Sequence, residues 1–357
     1  MARQWILTGQ EGFETSLEYQ TGLTIPSKKD LAPNELLVKM HAASLNYREL
    51  VIAGPMGING PITPPMVPGC DGAGTVEATG SSVNDFKPGD RVLTHPTPRA
   101  VEAHGDDAHA SIADAVNALG QGDDGTLRSW AVFREAGLVR APKTLDWIPA
   151  ATLPCTWLTA WNALFGLTGK QAGPGSWVLV QGTGGVSIAA LQLAVAVGAN
   201  VVATTSTEEK GERLKKLGAI HVVNYRSNAE KWGEEARSCT PDGRGFDFVV
   251  DIGGNETLPH SLAAIRVGAV ILIVGHVGDT AETVPLFAAM MHSCIVRGIL
   301  AGTRNQFREL VRFIDERGVV PVIDDVIFEL AEAKDAYRRL KEKRHFAKVV
   351  LRIEHKV

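Results

Sequence analysis

The sequence is poor in the features that mark secreted, membrane-spanning and nucleic-acid-binding proteins. Its 357 residues include four cysteines, at positions 70, 155, 239 and 294, too few and too scattered for a disulfide framework. No apolar run is long enough to cross a membrane, and the first residues lack a signal-peptide core. A net charge of −4 gives no reason to expect a nucleic-acid or membrane-surface partner. We therefore expect a reduced, cytoplasmic protein that acts on small molecules.

What the chain does contain is enough apolar sequence, 45% of its residues, for two domains. Residues 1–40 and 66–94 alternate short apolar runs with proline and glycine turns, which is typical of antiparallel strands. From about residue 176 onward, apolar strands alternate with helical segments, and this pattern predicts a doubly wound α/β sheet. The strand at 348–352 is expected to rejoin the first domain.

Two local predictions concern the segments between these regions. A long amphipathic helix is predicted from Ala150 to Leu167, leading into the α/β region. Residues 95–128 are rich in polar residues and are predicted to form a surface lobe, with His95 in a solvated loop rather than at a metal.

The most informative stretch of the sequence begins with an apolar strand, Trp177–Val180. A glycine turn, Gly182-Thr-Gly-Gly-Val-Ser187, then opens an apolar helix, and a second strand follows. Gly182 permits the tight turn, and Gly184 lets a pyrophosphate approach the backbone N–H groups at the helix start. Ser187 stands where Gly or Ala is usual but is still small. The pattern predicts a Rossmann unit with these cofactor contacts: Gly182, Thr183, Gly184, Gly185 and Val186.

The end of the second strand predicts which dinucleotide binds. An acidic residue there would hold the ribose 2′-hydroxyl of NAD and repel a 2′-phosphate. This chain has Thr205 and Ser206 instead, followed by Lys210, and hydroxyl donors with a cation suit a phosphate. Thr207 is also predicted to N-cap the next helix. NADP(H) is therefore favoured over NAD(H).

Further motifs are spaced along nearly the whole chain. They are Ala42-Ala-Ser-Leu-Asn-Tyr-Arg-Glu49, Val67-Pro-Gly-Cys-Asp-Gly-Ala-Gly74, Phe86-Lys-Pro-Gly-Asp-Arg-Val92, Ala151-Thr-Leu-Pro-Cys-Thr-Trp-Leu-Thr-Ala-Trp161 and His345-Phe-Ala-Lys-Val-Val350. With the glycine turn, they resemble the medium-chain dehydrogenase/reductase superfamily, in particular its quinone oxidoreductase and alcohol-dehydrogenase-like branch. The resemblance implies a GroES-like β-rich catalytic domain from residues 1–156 and 301–357. It also implies a Rossmann NADP(H)-binding domain from residues 157–300.

The resemblance also indicates where zinc would be held. Zinc-dependent members have a Cys where this chain has Asn46, a His where it has Cys70, and a Cys or Asp matching Cys155. An asparagine is a poor zinc ligand, and free cysteines usually behave as small apolar residues. Residues 95–128 contain no cysteine, so the four-cysteine structural zinc lobe is missing too. No metal is predicted, and a metal at Cys70, Asp71 and Cys155 is the alternative.

Without zinc to polarise a carbonyl, an enone or a quinone is the favoured hydride acceptor. The charge then spreads into an enolate or hydroquinone anion, which hydrogen-bond donors can stabilise. Asn46, Tyr47 and Arg48 are the candidate catalytic residues. The alternatives are an ion pair of Arg48 with Glu49 or Asp71, and a core position for Tyr47.

The predicted function is thus NADPH-dependent, metal-independent reduction of an activated double bond or a quinone. The rival predictions are a carbonyl reductase or alcohol dehydrogenase of the same fold, with or without zinc, and an NADPH-binding protein with a structural or adaptor role.

The resemblance implies the remaining cofactor contacts residue by residue. Thr159 would pass beneath the nicotinamide, and Lys210 with Tyr225 would hold the 2′-phosphate. The cofactor would also contact the backbone of Gly253, Gly275, His276, Val277 and Ala301. Lys343 would add a positive charge near the phosphate.

A homodimer is the expected assembly. The strand at 294–299 reads as the last of the nucleotide-binding sheet, and exposed sheet edges invite pairing. The resemblance implies the same strand pairing across a two-fold axis.

Overall fold

The structure, a computed structural model, describes residues 1–55, 60–276 and 283–353. The chain divides into two compact units. The terminal unit comprises Met1–Leu158 and Ala301–Val357, and the central unit comprises Thr159–Leu300. Among the described residues, none of the helices combines the length and apolar character that a membrane crossing requires.

The first segment of the terminal unit is mostly β-structure with short helices. Its strands are β1 (Ala2–Leu7), β2 (Leu17–Leu23), β3 (Glu35–Leu45), β4 (Asp71–Thr79), β5 (Arg91–Thr94), β6 (Trp130–Arg134) and β7 (Leu138–Arg140). Its α-helices are α1 (Phe13–Ser16), α2 (Tyr47–Ala53), α3 (Pro98–His104), α4 (Ile112–Ala115) and α5 (Trp147–Ala150), with 3₁₀ turns at Lys28–Asp30 and Glu135–Gly137.

The central unit alternates strands and helices. Its strands are β8 (Trp177–Val180), β9 (Asn200–Thr205), β10 (Ala219–Asn224), β11 (Phe246–Asp251), β12 (Ile265–Ile273) and β13 (Ile295–Gly298). Its helices are α6 (Leu158–Phe165), α7 (Gly185–Ala196), α8 (Glu208–Lys216), α9 (Trp232–Ser238), α10 (Leu258–Ala264) and α11 (Phe287–Met291), with 3₁₀ turns at Pro241–Gly243 and Gly254–Glu256.

The strands of the central unit form one parallel sheet in the order β10-β9-β8-β11-β12-β13. This is the doubly wound order, in which the strand order reverses beside β8. The middle strands are buried on both faces, as Val178, Leu179 and Val180 show, and parallel strands with both faces covered read as continuous apolar runs. The predicted fold class, a GroES-like β-rich domain with a Rossmann domain, is confirmed.

The chain then returns to the terminal unit with α12 (Arg304–Arg317), β14 (Ile327–Glu329), a 3₁₀ turn (Leu330–Glu332), α13 (Ala333–Lys341) and β15 (Val349–Arg352). The main sheet of this unit has the order β14-β15-β3-β4-β5-β7, and β6 also pairs with β3. Strand β3 therefore lies between β4 and β15, both antiparallel to it. This position brings the last strand of the fold beside the residues that end β3.

The predicted helix from Ala150 to Leu167 is present as an α-helix only from Leu158 to Phe165. Helix α5 ends at Ala150, a π-helical turn covers Leu153–Trp157, and α6 begins at Leu158. Pro154 lacks the N–H group that a continuous α-helix would need. The wider π turn, a feature often found at functional sites, carries Cys155.

The predicted solvated position of His95 is also wrong. His95 is fully buried, its Nε2 donates to the carbonyl oxygen of Gly302 at 3.2 Å, and its Nδ1 accepts from the N–H of Thr97 at 3.4 Å. Burial lowers the pKa of His95 to about 4. The sequence offers no apolar pattern around this residue that would reveal its burial.

We expect His95 to make the stability of the protein depend on pH. Between the ordinary pKa of 6.5 and the folded value of about 4, the unfolded chain binds a proton at His95 that the folded protein does not. The free energy of unfolding should therefore fall as the pH falls through this window, by about 3 kcal/mol from this group. Urea unfolding at several pH values should show a flatter profile for His95→Gln. His104→Gln, at an exposed position, should keep the wild-type slope, and an unchanged slope in His95→Gln would contradict the assignment.

Candidate active site

A polar cluster in the terminal unit forms where three strands meet. Residue Asn46 directly follows β3 and N-caps α2, while Cys70 directly precedes β4. Asp71 pairs in register with Ser44 of β3, and Val349 of β15 pairs with Leu45. Because β15 runs antiparallel to β3, Lys348 comes to lie beside Asn46. The order of the strands thus places an amide, a thiol, a carboxylate and an ammonium group together.

Lys348 is the centre of this cluster. Its Nζ lies 2.8 Å from Asp71 Oδ2, 2.5 Å from Asn46 Oδ1 and 2.8 Å from the Leu45 carbonyl oxygen. An ammonium group has three hydrogens, and three acceptors receive them here. Lys348 is 2% and Asp71 0% exposed, so the two charges neutralise each other out of contact with solvent. The Ser44 hydroxyl also donates to Asp71 Oδ2, at 2.8 Å.

Two thiols adjoin this ion pair. The sulfur atoms of Cys70 and Cys155 and a carboxylate oxygen of Asp71 all lie within 4.8 Å of one another. Cys70 is buried and Cys155 is half-buried. Asn46 Nδ2 donates to Cys70 Sγ at 3.5 Å, and the Cys70 thiol donates to Asp71 Oδ1 at 3.5 Å. The hydrogen bond with Cys155, burial and the charge of Asp71 raise the pKa of the Cys70 thiol well above its usual value, which favours the protonated form.

The three predicted catalytic residues follow one another but differ in their surroundings. Arg48 Nη1 donates to Glu49 Oε1 and to the Leu119 carbonyl oxygen, both at 3.0 Å, so the predicted ion pair with Glu49 is present. Glu49 Oε2 accepts from the Asn46 N–H at 2.6 Å and completes a capping box at the start of α2. Burial raises the pKa of the Glu49 carboxyl, although Arg48 acts against it. Tyr47 is 42% exposed, so the alternative that it is a core aromatic is wrong.

In the central unit, the glycine turn joins β8 to α7. Gly182 has a φ of +73°, a conformation that favours glycine, and its N–H donates to Thr204 Oγ1 at 3.1 Å. The Ser187 hydroxyl donates to the Gln181 carbonyl oxygen at 2.5 Å and ties the start of α7 to the end of β8. Gly184 is the N-cap of this helix. The residues Thr183, Gly185 and Val186 are half-buried, as Gly182 and Gly184 are.

The residues predicted to select the cofactor follow the adjacent strands β9 and β10. Thr205 ends β9 and is 2% exposed, and the Tyr225 N–H donates to its carbonyl oxygen at 3.1 Å. Ser206 is half-buried beside it, and Lys210 lies in the first turns of α8. Thr207 accepts from the Lys210 N–H at 3.4 Å, so the predicted N-cap is confirmed. These residues share the carboxyl edge of the sheet.

The turn after β11 depends on Asp251, a residue that sequence reasoning missed. Asp251 is fully buried, and its Oδ1 accepts from the N–H groups of Gly253 at 3.2 Å and Gly254 at 3.0 Å and from the Thr257 hydroxyl at 2.7 Å. Its Oδ2 accepts from the Ser261 hydroxyl at 2.5 Å. The signal in the sequence is an acidic residue directly after the apolar run Phe248–Val250. Asp251 thus fixes the glycines predicted to contact the cofactor.

The remaining predicted cofactor residues are distributed over both units. Gly275 follows β12, and a Cβ there would lie 3.0 Å from the Ile252 carbonyl oxygen. His276 is exposed, whereas Val277 lies outside the described residues. Thr159, in α6, is 5% exposed. Ala301 and Lys343 belong to the terminal unit, with φ angles of +47° and +55°.

Lys348 is the other functional residue that the sequence did not reveal. It stands inside the motif His345-Phe-Ala-Lys-Val-Val350, but nothing in that motif says what the lysine contacts. Its three acceptors become neighbours only when β15 pairs with β3.

Comparison with known proteins agrees with this architecture. The family model described as "Alcohol dehydrogenase GroES-like domain" matches residues 32–143, and "Zinc-binding dehydrogenase" matches residues 185–316. A zinc-type alcohol dehydrogenase-like protein of Schizosaccharomyces pombe is 40% identical over 344 residues, covering 92% of this chain and 93% of its own. A quinone oxidoreductase of Homo sapiens is 28% identical over 295 residues, covering 82% and 79%. The solved structure of an NAD-dependent alcohol dehydrogenase superposes with a TM-score of 0.85 at 32% identity, covering 99% and 100%.

The parallel sheet with its glycine turn and the β-rich terminal unit define a pyridine-nucleotide-dependent oxidoreductase. The chain belongs to the medium-chain dehydrogenase/reductase superfamily, as both family models and the 40% identical relative show. Enzymes of this superfamily bind a nicotinamide cofactor and act on small-molecule substrates.

We expect Lys348→Met to destabilise the terminal unit strongly. The change leaves the buried Asp71 carboxylate without its cation, and breaking a buried ion pair costs about 3 kcal/mol or more. Chemical denaturation should show the loss, and the double variant Lys348→Met/Asp71→Asn should recover part of it. Arg352→Met, at the end of the strand that Lys348 precedes, removes an exposed ion pair with Glu329 and should have a much smaller effect. Equal losses in Lys348→Met and Arg352→Met would contradict this account.

Proposed function

We propose that this protein is an NADPH-dependent, metal-independent reductase that transfers hydride to an activated double bond or a quinone. One observation carries the proposal. The Lys348 ammonium group, which donates to Asp71 Oδ2 and Asn46 Oδ1, already places a positive charge in this cluster.

The donor set does not fit a catalytic zinc ion. Zinc is bound by thiolate, imidazole or carboxylate, and its ligands must be deprotonated. The carboxylate of Asp71 is already paired with a cation 2.8 Å away, and Asn46 supplies an amide that accepts from the same cation. A second cation among these groups would be repelled by Lys348.

The second candidate function is a zinc-dependent carbonyl reductase or alcohol dehydrogenase. The proximity of Cys70, Asp71 and Cys155, within 4.8 Å of one another, favours it, as do the zinc-type names of relatives. Such a site would require two thiolates beside the Lys348–Asp71 pair. Metal analysis of the purified protein separates the two candidates.

The cofactor preference is proposed from the ends of β9 and β10. Two hydroxyl side chains, Thr205 and Ser206, stand where an acidic residue would select NAD, and Lys210 follows them. Tyr225 is held beside Thr205 by a backbone hydrogen bond. Hydroxyl, phenol and ammonium donors can bind the 2′-phosphate of NADPH. The related solved structure named NAD-dependent is that of a different protein, and we propose NADPH for this one.

The bound cofactor would supply the hydride, and the chain would supply hydrogen-bond donors for the charge that develops on the acceptor. Because Lys348 holds Asn46 Oδ1, the amide keeps its Nδ2 hydrogens for Cys70 and for an acceptor oxygen. The exposed hydroxyl of Tyr47 is the candidate proton donor. Arg48 is tied to Glu49 and Leu119, so we assign it to the support of α2 rather than to catalysis.

The direct test of this function is NADPH oxidation against a panel of quinones, enones and simple ketones. Quinones or enones should be reduced with far higher kcat/KM than ketones, because a ketone needs the electrophile that this site lacks. A preference for simple ketones or alcohols would favour the second candidate. Failure of every acceptor to turn over, with NADPH bound, would favour a structural or adaptor role.

Lys210→Ala should weaken NADPH binding by about tenfold or more and leave NADH binding nearly unchanged, since NADPH alone carries the 2′-phosphate. Fluorescence titration with each cofactor measures both dissociation constants. Lys215→Ala, on the same helix but paired with Glu212, is the matched control and should change neither. An equal loss for NADPH and NADH would contradict the assignment.

We also propose a homodimer that forms through β13. This strand is at one edge of the central sheet, and Ile295 on it is 40% exposed. Before it, Phe287 and Met291 of α11 are 62% and 67% exposed. An unpaired edge beside apolar side chains is suited to pairing with a second copy.

Light scattering at micromolar concentration should give the mass of a dimer, and Ile295→Glu should shift the population to monomer. Ile220→Glu changes an exposed isoleucine on β10, at the opposite edge of the sheet, and should leave the dimer intact. A monomeric mass for the unaltered protein would overturn the proposed assembly.

A further inference from the structure

The terminal unit brings two free cysteines from distant parts of the chain together. Cys70 directly precedes β4, and Cys155 lies in the π-helical turn. Their sulfur atoms are within 4.8 Å of each other. The central unit holds Cys239 and Cys294, which are free cysteines of similar exposure to Cys155.

The two thiols differ in accessibility. Cys155 is half-buried and can meet a small solute, whereas Cys70 is 0% exposed and can meet only its neighbours. The neighbours of Cys70 are polar: Asn46 Nδ2 donates to its sulfur at 3.5 Å, and Asp71 Oδ1 accepts its proton at 3.5 Å. One accessible thiol next to one protected thiol is the arrangement in which an oxidised cysteine is resolved by a second.

A disulfide requires a sulfur–sulfur distance of about 2 Å and favourable side-chain directions. Both cysteines are free, so a bond needs a movement of one or both side chains. Cys155 is placed for such a movement, because it is the partly exposed member of the pair and lies in a π turn rather than in a regular helix.

We propose that Cys70 and Cys155 form a reversible disulfide when the protein meets a peroxide. The sulfur of Cys155 attacks one peroxide oxygen, the O–O bond breaks, and a sulfenic acid and one water form from hydrogen peroxide. The Cys70 sulfur then attacks the sulfenic sulfur, the S–O bond breaks, and a second water leaves. Two thiols have lost two protons and two electrons, and the peroxide has been reduced to two waters. Asp71, which accepts the Cys70 proton, is placed to remove it in the second step.

The bond would alter the candidate active site directly. In the disulfide, Cys70 has no thiol proton to donate to Asp71. Asn46 Nδ2 then faces a disulfide sulfur instead of a thiol. The disulfide also removes both sulfur ligands from any metal. Formation of this disulfide does not depend on which acceptor receives the hydride. It rests on the metal-free site of the proposed function.

The test uses the full-length protein after metal analysis, treated with a small molar excess of hydrogen peroxide. The free thiols should fall from the four cysteines of the reduced chain to two, and the intact mass should decrease by two hydrogen atoms. Peptide mapping without reduction should identify a peptide pair joined through Cys70 and Cys155. A dithiol reductant should restore the original thiol count.

Matched variants identify the steps. Cys239→Ser/Cys294→Ser should still form the bond, whereas Cys70→Ser should stop at a sulfenic acid on Cys155 that dimedone traps. Metal-free protein that forms no bond between Cys70 and Cys155 under peroxide would overturn this proposal alone. Protein that carries stoichiometric zinc and resists peroxide would overturn both the proposal and the metal-free site.

Discussion

The buried ion pair between Lys348 and Asp71 is the interaction on which the candidate active site depends. Two charges out of contact with solvent are stable only when their hydrogen-bonding groups are satisfied, and here Leu45, Asn46 and Ser44 complete the network. The pair can form only if β15 lies beside β3 and β4 lies on the other side. Lys348 directly precedes β15, so the pairing of β15 with β3 places the ammonium group and builds the site.

The same pair is the basis for the proposal that the site works without zinc. Relatives with zinc-type names and the match to a zinc-binding dehydrogenase model lead one to look for a metal at Cys70 and Cys155. In this chain a lysine ammonium already supplies a fixed positive charge at 2.8 Å from the carboxylate. In the proposed metal-free mechanism, fixed hydrogen-bond donors stabilise the negative charge that a metal would otherwise stabilise, and this suits acceptors whose charge is delocalised.

Much of the architecture could be predicted from the sequence, because it depends on local sequence patterns. The glycine turn between two apolar strands indicates a Rossmann unit, and Thr207 before two glutamates indicates the start of α8. The role of Lys348 could not be predicted, because its partners Leu45, Asn46 and Asp71 are distant in sequence. Asp251 was missed although its partners are local, because its sequence does not show the turn that brings Gly253 and Gly254 to the carboxylate. The break at Pro154 and the burial of His95 were missed for related reasons. A π turn has no sequence period of its own, and a buried histidine in a polar segment resembles an exposed one until its partner Gly302 is known.

The most direct test of the metal-free account is elemental analysis of the purified protein combined with activity after chelation. The account predicts far less than one zinc per chain and NADPH-dependent reduction of a quinone or enone that is unchanged after dialysis against a strong chelator. Stoichiometric zinc, with activity lost on chelation and restored by added zinc, would contradict it and would make Cys70 and Cys155 metal ligands.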